Sequence, residues 1–216
     1  MFWRVMCIAG LLGCLLPSGA PAGDAPAERI DAYIAKVLRV FQETDPCSGE
    51  CGPESELRKA LSRLGREIFD FRIMSMMSLG RHWKSLNASQ QETFVDLYRQ
   101  LLEANYFEKI VKHFQKIQEY SKDKVEILDQ TLFSSRKAEV TSLVWHDGKK
   151  IPVDYRLVLR DGQWNIYDVL VEGVSLIGNY RKQFDEILFD KSPDEMLDSL
   201  RRKLEQNASI QKEPQS

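Results

Sequence analysis

The architecture of this chain depends on one segment, Trp164-Asn-Ile-Tyr-Asp-Val-Leu-Val-Glu-Gly-Val-Ser-Leu-Ile-Gly-Asn-Tyr-Arg-Lys-Gln-Phe184. Before Gly173 its residues alternate with the period of two that is typical of a strand with two different faces. After Gly173 the apolar residues fall on one helical stripe, made of Ile177, Tyr180, Phe184, Ile187 and Leu188. A strand that passes into a helix at such a point can shape the edge of a pocket.

Four segments after Ser121 are rich in β-branched and aromatic residues and are predicted to be strands. They are residues 125–133, 137–146, 149–160 and 163–172. The links at residues 147–148 and 161–162 are both Asp-Gly, which supplies the positive φ angles of tight hairpin turns, so we expect an antiparallel meander. Pro152 has no N–H to donate, which predicts that the start of the third strand lies at an edge or a bulge.

Helical patterns surround the predicted strands. Amphipathic stripes predict helices over residues 28–44 and 57–68, with a break at Gly80. A longer helix is predicted to open with a capping box at Ser89 and Glu92 and to run to about residue 118, and a last one to open at Ser192-Pro193-Asp194-Glu195. We therefore predict an α+β fold, in which a helical layer packs on a curved four-stranded antiparallel sheet, cone-shaped and NTF2-like, and encloses an apolar cavity.

The N-terminus has the features of an export signal. Arg4 precedes an apolar run over residues 5–16 that is too short to span a bilayer, and Ala20-Pro21-Ala22 offers small residues to signal peptidase. We expect cleavage after Ala22 and an exported protein. The predicted organisation is a signal peptide over residues 1–22, one domain over residues 23–205 and a disordered tail over residues 206–216.

The four cysteines occur in two settings. Leu11-Leu12-Gly13-Cys14 is similar to the lipobox of bacterial lipoproteins, so lipidation at Cys14 is the alternative to the cleaved signal. Cys47 and Cys51 are predicted to close a small disulfide loop in an oxidising compartment. Their Cys-x3-Cys spacing has no second Cys or His pair nearby, which is a poor zinc signal, and a redox pair would usually be Cys-x2-Cys.

Charge and missing motifs exclude several functional classes. The 216 residues include 30 Lys and Arg against 32 Asp and Glu, without a basic run, so neither nucleic acid nor an anionic membrane surface is an obvious electrostatic partner. The chain has no Gly-x4-Gly-Lys-Ser/Thr motif for nucleotide binding in the P-loop manner. Its three histidines lack metal-ligand spacing, and we predict neither a metal site nor a cofactor.

Two carboxylates in the last predicted strand are the basis of the main alternative function. Asp168 and Glu172 lie four residues apart on one side of the strand, within reach of Arg156 or Arg160 on the neighbouring strand. The simpler interpretation is a cross-strand ion pair or a cap for the next helix. The alternative is a small cavity-type enzyme that uses Asp168 or Glu172 as its general base. A hydrolase elbow at Ser175 fails on spacing, since the second glycine comes one residue late.

Three segments occur together in this chain: Phe69-Asp-Phe-Arg-Ile-Met-Ser-Met-Met-Ser-Leu-Gly-Arg-His-Trp83, Leu86-Asn-Ala-Ser-Gln-Gln-Glu-Thr-Phe94, and Trp164 to Ser175 with Asn179-Tyr-Arg-Lys-Gln-Phe184. In their order and spacing they resemble the MlaC-like periplasmic phospholipid-carrier family of the bacterial Mla pathway, also described as toluene-tolerance auxiliary proteins. The resemblance extends from about residue 30 to residue 204.

This resemblance implies a non-enzymatic shuttle that carries phospholipid between the outer and inner membranes and contributes to outer-membrane lipid asymmetry. The implied partners are an inner-membrane ABC transporter with an MCE-domain ring and an outer-membrane lipoprotein–porin complex. Hopanoid-associated relatives have a similar pattern, so a hopanoid-type lipid is the alternative cargo. A structural adaptor of the envelope is a further alternative.

The two predicted layers provide candidate lipid-binding walls for the cavity. They are Met74, Leu79, Trp83, Leu97 and Leu101 from the helices, and Tyr155, Leu157, Trp164, Ile166 and Val169 from the sheet. Asn179 and Arg181 are predicted to lie at the rim, where they would meet the lipid headgroup.

Overall fold

The computed structural model describes residues 25–43, 56–112 and 122–210. The predicted signal peptide, the lipobox with Cys14 and the Cys47 and Cys51 loop lie outside these residues, as does the predicted continuation of the long helix to residue 118. Within them, the six α-helices are α1 Pro26–Glu43, α2 Glu56–Ile68, α3 Phe71–Leu79, α4 Ala88–Lys112, α5 Leu176–Asp190 and α6 Pro193–Ile210. Because α6 continues to Ile210, residues 206–210 are helical and do not belong to the predicted tail.

The described strands form one antiparallel sheet in the order β1-β2-β3-β4-β5. They are β1 Val125–Ser134, β2 Lys137–His146, β3 Lys149–Arg160, β4 Gln163–Val171 and β5 Val174–Ser175. The helices pack on this curved, unclosed sheet, which confirms the predicted α+β architecture. The prediction of four strands missed β5, which has two residues. Pairing of β3 with β4 begins at Val153 and Val171, so Pro152 lies at the predicted edge.

Three successive hairpins of the sheet have the same kind of turn. Both predicted Asp-Gly turns have positive φ at each residue: Asp147 and Gly148 at 46° and 78°, Asp161 and Gly162 at 51° and 79°. The turn at Glu172-Gly173 repeats this geometry with φ of 51° and 78°. The change of period at Gly173 is therefore a hairpin that adds β5 before α5 begins.

The prediction of helix caps was right for α6 and wrong for α4. Ser192 and Glu195 form the predicted capping box, in which the Ser192 N–H donates to Glu195 Oε2 over 2.8 Å and the Glu195 N–H donates to Ser192 Oγ over 3.3 Å. In α4 the reciprocal pair is Asn87 and Gln90, with both hydrogen bonds at 2.9 Å. Asparagine is as good an N-cap as serine, so the helix begins before Ser89.

Two large clusters contain most of the buried apolar residues in the described part of the chain. The first joins α3, α4, α5 and α6 and includes an aromatic group in which the rings of Phe94 and Phe184 lie 5.1 Å apart, edge to face. The second fills the space between α1, α2 and the sheet, where the Tyr33 hydroxyl donates to the Trp164 carbonyl over 2.7 Å. The first cluster includes Tyr167 of β4, and the second includes Leu157 of β3 and Ile166 of β4, so both clusters connect helices to the sheet.

Replacing Gly173 by alanine tests whether the last hairpin requires a glycine at this position. Gly173 has no neighbouring atom within 4 Å of the position that a Cβ would take, but its φ is +78°. Gly173→Ala is therefore expected to lower the free energy of unfolding by about 1 kcal/mol through backbone strain alone. Gly65→Ala is the matched control, because Gly65 lies inside α2, where the nearest contact of an added Cβ is at 4.0 Å. This substitution is expected to raise the free energy of unfolding by about 0.5–1 kcal/mol. Urea denaturation measures both, and shifts of the same sign would contradict the expectation.

Candidate functional site

A cavity of about 480 Å³ opens between the helical layer and the last strands. Its walls come from α2, α3, α4, β4, β5 and α5 and from the joint between α2 and α3. The described residues of these walls are Gly65, Phe69, Phe71, Met74, Leu102, Glu103, Tyr106, Val169, Val171, Val174, Leu176 and Asn179. Most of these side chains are apolar, so the cavity suits an apolar ligand.

The joint between α2 and α3 brings two aromatic rings to the cavity wall. Phe69 forms a parallel bridge with Ile166 of β4, and the Asp70 N–H donates to the Ile166 carbonyl over 2.9 Å. The Asp70 side chain then accepts from the Ile73 N–H over 2.9 Å, which caps α3. The rings of Phe69 and Phe71 lie 6.0 Å apart at the wall. Backbone pairing with the sheet therefore positions this part of the cavity.

The cavity has a mouth, which we define by its three exposed apolar side chains, Tyr106, Val171 and Val174. Val171 and Val174 are directly paired across the Glu172-Gly173 hairpin. Partial burial raises the pKa of the Tyr106 phenol above its ordinary value, so the group is neutral at physiological pH. Uncharged apolar groups exposed beside an apolar cavity are typical of a surface that meets an apolar ligand or partner.

Two polar side chains, those of Glu103 and Asn179, line the cavity among the described residues. Glu103 of α4 accepts hydrogen bonds through Oε1 from Ser62 Oγ over 3.0 Å and from Arg99 Nη1 over 2.8 Å. Asn179 of α5 is exposed and contributes an amide. The hydrogen bond between Ser62 and Glu103 also joins α2 to α4.

The structure brings three of the predicted site residues to the cavity: Met74, Val169 and Asn179. The others pack elsewhere: Leu79, Leu97 and Leu101 in the helical cluster with Trp83 against it, and Leu157, Trp164 and Ile166 in the sheet cluster with Tyr155 against it. These eight do not line the cavity. Periodicity identifies inward-facing positions, but it does not show which part of the interior is left open.

Arg181, which is predicted to lie at the rim, contacts the end of α3. Its Nε and Nη2 donate to the Met77 carbonyl over 2.8 and 2.6 Å, and its side chain lies against Gly80. The guanidinium therefore satisfies a carbonyl near the end of α3 and links α3 to α5. It does not line the cavity.

Most of the cavity lining was missed from the sequence. The apolar residues among those missed are Phe69, Phe71, Leu102, Tyr106, Val171, Val174 and Leu176. A usable signal existed at two places, because Phe69 and Phe71 flank a helix break and Val171 and Val174 flank a hairpin. Apolar residues that meet at such positions can form a contiguous exposed patch, which is the feature that marks a binding surface.

Asp168 has a structural role, as the simpler interpretation predicted. It is 2% exposed and accepts from Ser175 Oγ over 2.7 Å, from the Ile177 N–H over 3.0 Å and from Arg156 Nη1 over 3.4 Å. It thereby combines the predicted cross-strand ion pair with a cap at the start of α5. Glu172 is an exposed turn residue whose N–H donates to the Pro152 carbonyl. Neither carboxylate lines the cavity.

Metal-binding clusters and membrane-spanning helices are both absent from the described residues. No group of three or more His, Cys, Asp or Glu within them is placed to hold a metal ion. No helix in the same ranges has the length and apolar composition needed to cross a membrane.

The fold and the site together define an α+β protein whose helices cover an open antiparallel sheet and leave an apolar cavity between the layers. The model of the MlaC protein family matches residues 33–202, and the chain belongs to this family. The resemblance found in the sequence is thus confirmed.

A solved structure of the phospholipid-binding protein from Ralstonia solanacearum, in complex with a phospholipid, has the same fold. The match has a TM-score of 0.69 and 19% sequence identity, and it covers 86% of this chain and 99% of that chain.

Proposed function

We propose that this protein is a periplasmic shuttle that binds phospholipid in the cavity and carries it between the outer and inner membranes. The observation that carries the proposal is a cavity with apolar walls from both layers and an exposed apolar mouth. Membership of the MlaC family and a fold shared with a phospholipid-bound protein support it.

The size of the cavity suits one acyl chain. A volume of about 480 Å³ lies within the range of roughly 300–1,000 Å³ that is typical of pockets for small apolar ligands, and it is enough for one acyl chain. A second chain would then lie along the mouth, against Tyr106, Val171 and Val174, or require the layers to separate. The exposed apolar residues of the mouth thus have a function in this proposal.

Transfer between such a cavity and a bilayer is close to thermoneutral. Removing a methylene group from water is worth about 0.8 kcal/mol in either environment, so the two terms nearly cancel. Net direction must come from a partner that consumes ATP. The proposed partners are the inner-membrane ABC transporter with its MCE-domain ring and the outer-membrane lipoprotein–porin complex, which the cleaved signal peptide would let the protein reach.

Native mass spectrometry of protein purified without detergent tests the cargo directly. We expect a bound phospholipid whose mass is identified after extraction. If the bound lipid is instead a hopanoid, the cargo is a hopanoid and the phospholipid assignment is wrong. Protein that is empty on purification and takes up no lipid from phospholipid vesicles would contradict the proposed function.

A further inference from the structure

Strand β1 carries three of the large apolar side chains that are exposed in the described part of the chain. Leu128, Leu132 and Phe133 are 53%, 60% and 58% exposed. Leu132 is paired with Ala138, which is fully buried, and cross-strand partners share one face of the sheet. The apolar face of the sheet therefore continues onto an exposed side chain at the end of β1.

The first helix begins before it reaches this end of the strand. The Ala27 N–H, in the first turn of α1, donates to Gln130 Oε1 over 2.9 Å. Leu132 and Phe133 lie beyond that contact, next to the turn that joins β1 to β2. The two apolar side chains therefore extend past the start of α1 and remain exposed.

Two basic residues stand beside this apolar pair. Arg136 and Lys137 follow it at the turn, both are exposed, and neither has an ion-pair partner among the described residues. Glu139, the next acidic residue along β2, is already in an ion pair at 2.8 Å. Arg160 and Asp161 of the neighbouring hairpin carry opposite charges. We call this apolar and basic group the hairpin end, and its members are Leu132, Phe133, Arg136 and Lys137.

Two β-bulges make the edge of β1 a poor template for a further strand. The register with β2 shifts at Leu128 and again at Phe133, so each is an extra residue without a partner across the ladder. Such bulges interrupt the row of N–H and C=O groups that an added strand would need. A partner must therefore be met by side chains.

The charges of the hairpin end disfavour a second copy of the chain as its occupant. In a two-fold interface the same patch meets itself, so the cations of one copy would face those of the other. An anionic bilayer surface offers phosphates to the cations and an apolar layer to Leu132 and Phe133. The near-neutral balance of the whole chain does not oppose this contact, because salt screens exposed charges that lie more than about 10 Å apart.

We propose that the hairpin end binds the surface of a bilayer that contains anionic phospholipid. Leu132 and Phe133 enter the boundary between headgroups and acyl chains, while Arg136 and Lys137 contact phosphate groups. The contact is weak and reversible, because only two apolar side chains take part. The β4–β5 hairpin, which carries part of the cavity mouth, lies at the opposite end of the sheet and stays uncovered. The inference goes beyond the proposed function, since binding of cargo does not require this contact.

Co-sedimentation with vesicles tests the contact. The protein is taken after export and removal of the apolar run over residues 5–16, confirmed by intact mass, since that run would itself bind lipid. Vesicles of equal parts phosphatidylcholine and phosphatidylglycerol are compared with vesicles of phosphatidylcholine alone at about 50 mM NaCl. We expect about tenfold stronger binding to the vesicles with phosphatidylglycerol, and loss of this preference at about 500 mM NaCl.

Phe133→Ser is expected to weaken binding to the anionic vesicles about fivefold, because it removes apolar area that enters the bilayer. Phe189→Ser is the matched control, since Phe189 is 85% exposed but lies near the end of α5 beside Asp190. It should leave binding unchanged. A variant with both Arg136→Gln and Lys137→Gln should reduce the preference for phosphatidylglycerol to less than about twofold.

Equal binding to both kinds of vesicle, or no binding, by the wild-type protein would overturn the membrane contact. Native mass spectrometry of the same protein separates this failure from that of the proposed function, because cargo would still be bound. A folded Phe133→Ser variant with undiminished binding would also overturn the contact, and if that variant does not fold, the double glutamine variant decides. A dimer that sedimentation velocity detects and Phe133→Ser abolishes, without vesicle binding, would make a second copy the occupant.

Discussion

Val171→Glu is expected to reduce the phospholipid that co-purifies with this protein about tenfold. Val171 lines the cavity and is 47% exposed at its mouth, so a glutamate fits there without entering the packed core. A bound acyl chain would then have to desolvate the new carboxylate or leave water between itself and the wall. For a half-exposed position we take this cost as about 1.4 kcal/mol, which is a factor of ten in binding.

Leu128→Glu is the matched control for this experiment. Leu128 is also an exposed apolar residue of a strand, but it lies in β1 and does not line the cavity. Lipid per folded protein is measured by phosphorus assay and native mass spectrometry. Equal loss of lipid in both variants, or normal loading of Val171→Glu, would show that the mouth does not contact the cargo.

Asp168→Asn is expected to lower the free energy of unfolding by about 2–3 kcal/mol. The change leaves one acceptor oxygen for Ser175 Oγ and the Ile177 N–H and removes the charge that faces Arg156. Arg156 retains Glu139, whose Oε2 lies 2.8 Å from its Nε, which keeps the cost below that of isolating a buried charge. Urea denaturation measures the loss.

Glu172→Gln provides the comparison for Asp168→Asn. Both positions are candidate general bases from the sequence, but Glu172 is exposed in the hairpin turn. Its replacement should change the free energy of unfolding by less than about 0.5 kcal/mol. Folded Asp168→Asn protein should still bind phospholipid. An unchanged stability of Asp168→Asn would contradict its structural role.

The observed cavity lining decides which positions are suitable for testing lipid binding by substitution. Leu101 and Leu157 are predicted wall residues from the sequence, but they are 2% and 0% exposed in the packed clusters. A charge at either position would therefore destabilise the fold by burying an unpaired ion. Substitutions there cannot separate lipid binding from folding, whereas a substitution at the mouth can.

Local sequence patterns were sufficient to predict most helices and strands of this fold, but not the two-residue strand β5. The predicted bounds of β2 and β3 agree with the structure, and both Asp-Gly hairpins have the expected positive φ, because a tight turn imposes its requirement on two adjacent residues. The α+β class and the family followed from the order of these elements and from three quoted segments, and both are confirmed.

Two pairs of neighbouring residues show why the lining of the cavity could not be predicted from local sequence patterns. Leu101 and Leu102 are both buried apolar residues of α4, yet only Leu102 lines the cavity. In β4, Asp168 ties the sheet to α5 whereas the next residue, Val169, lines the cavity, because successive strand residues face opposite sides. The period of an element predicts which side chains turn inward. Whether the space they face is filled depends on α2, α3 and β4, whose side chains meet only when the chain has folded.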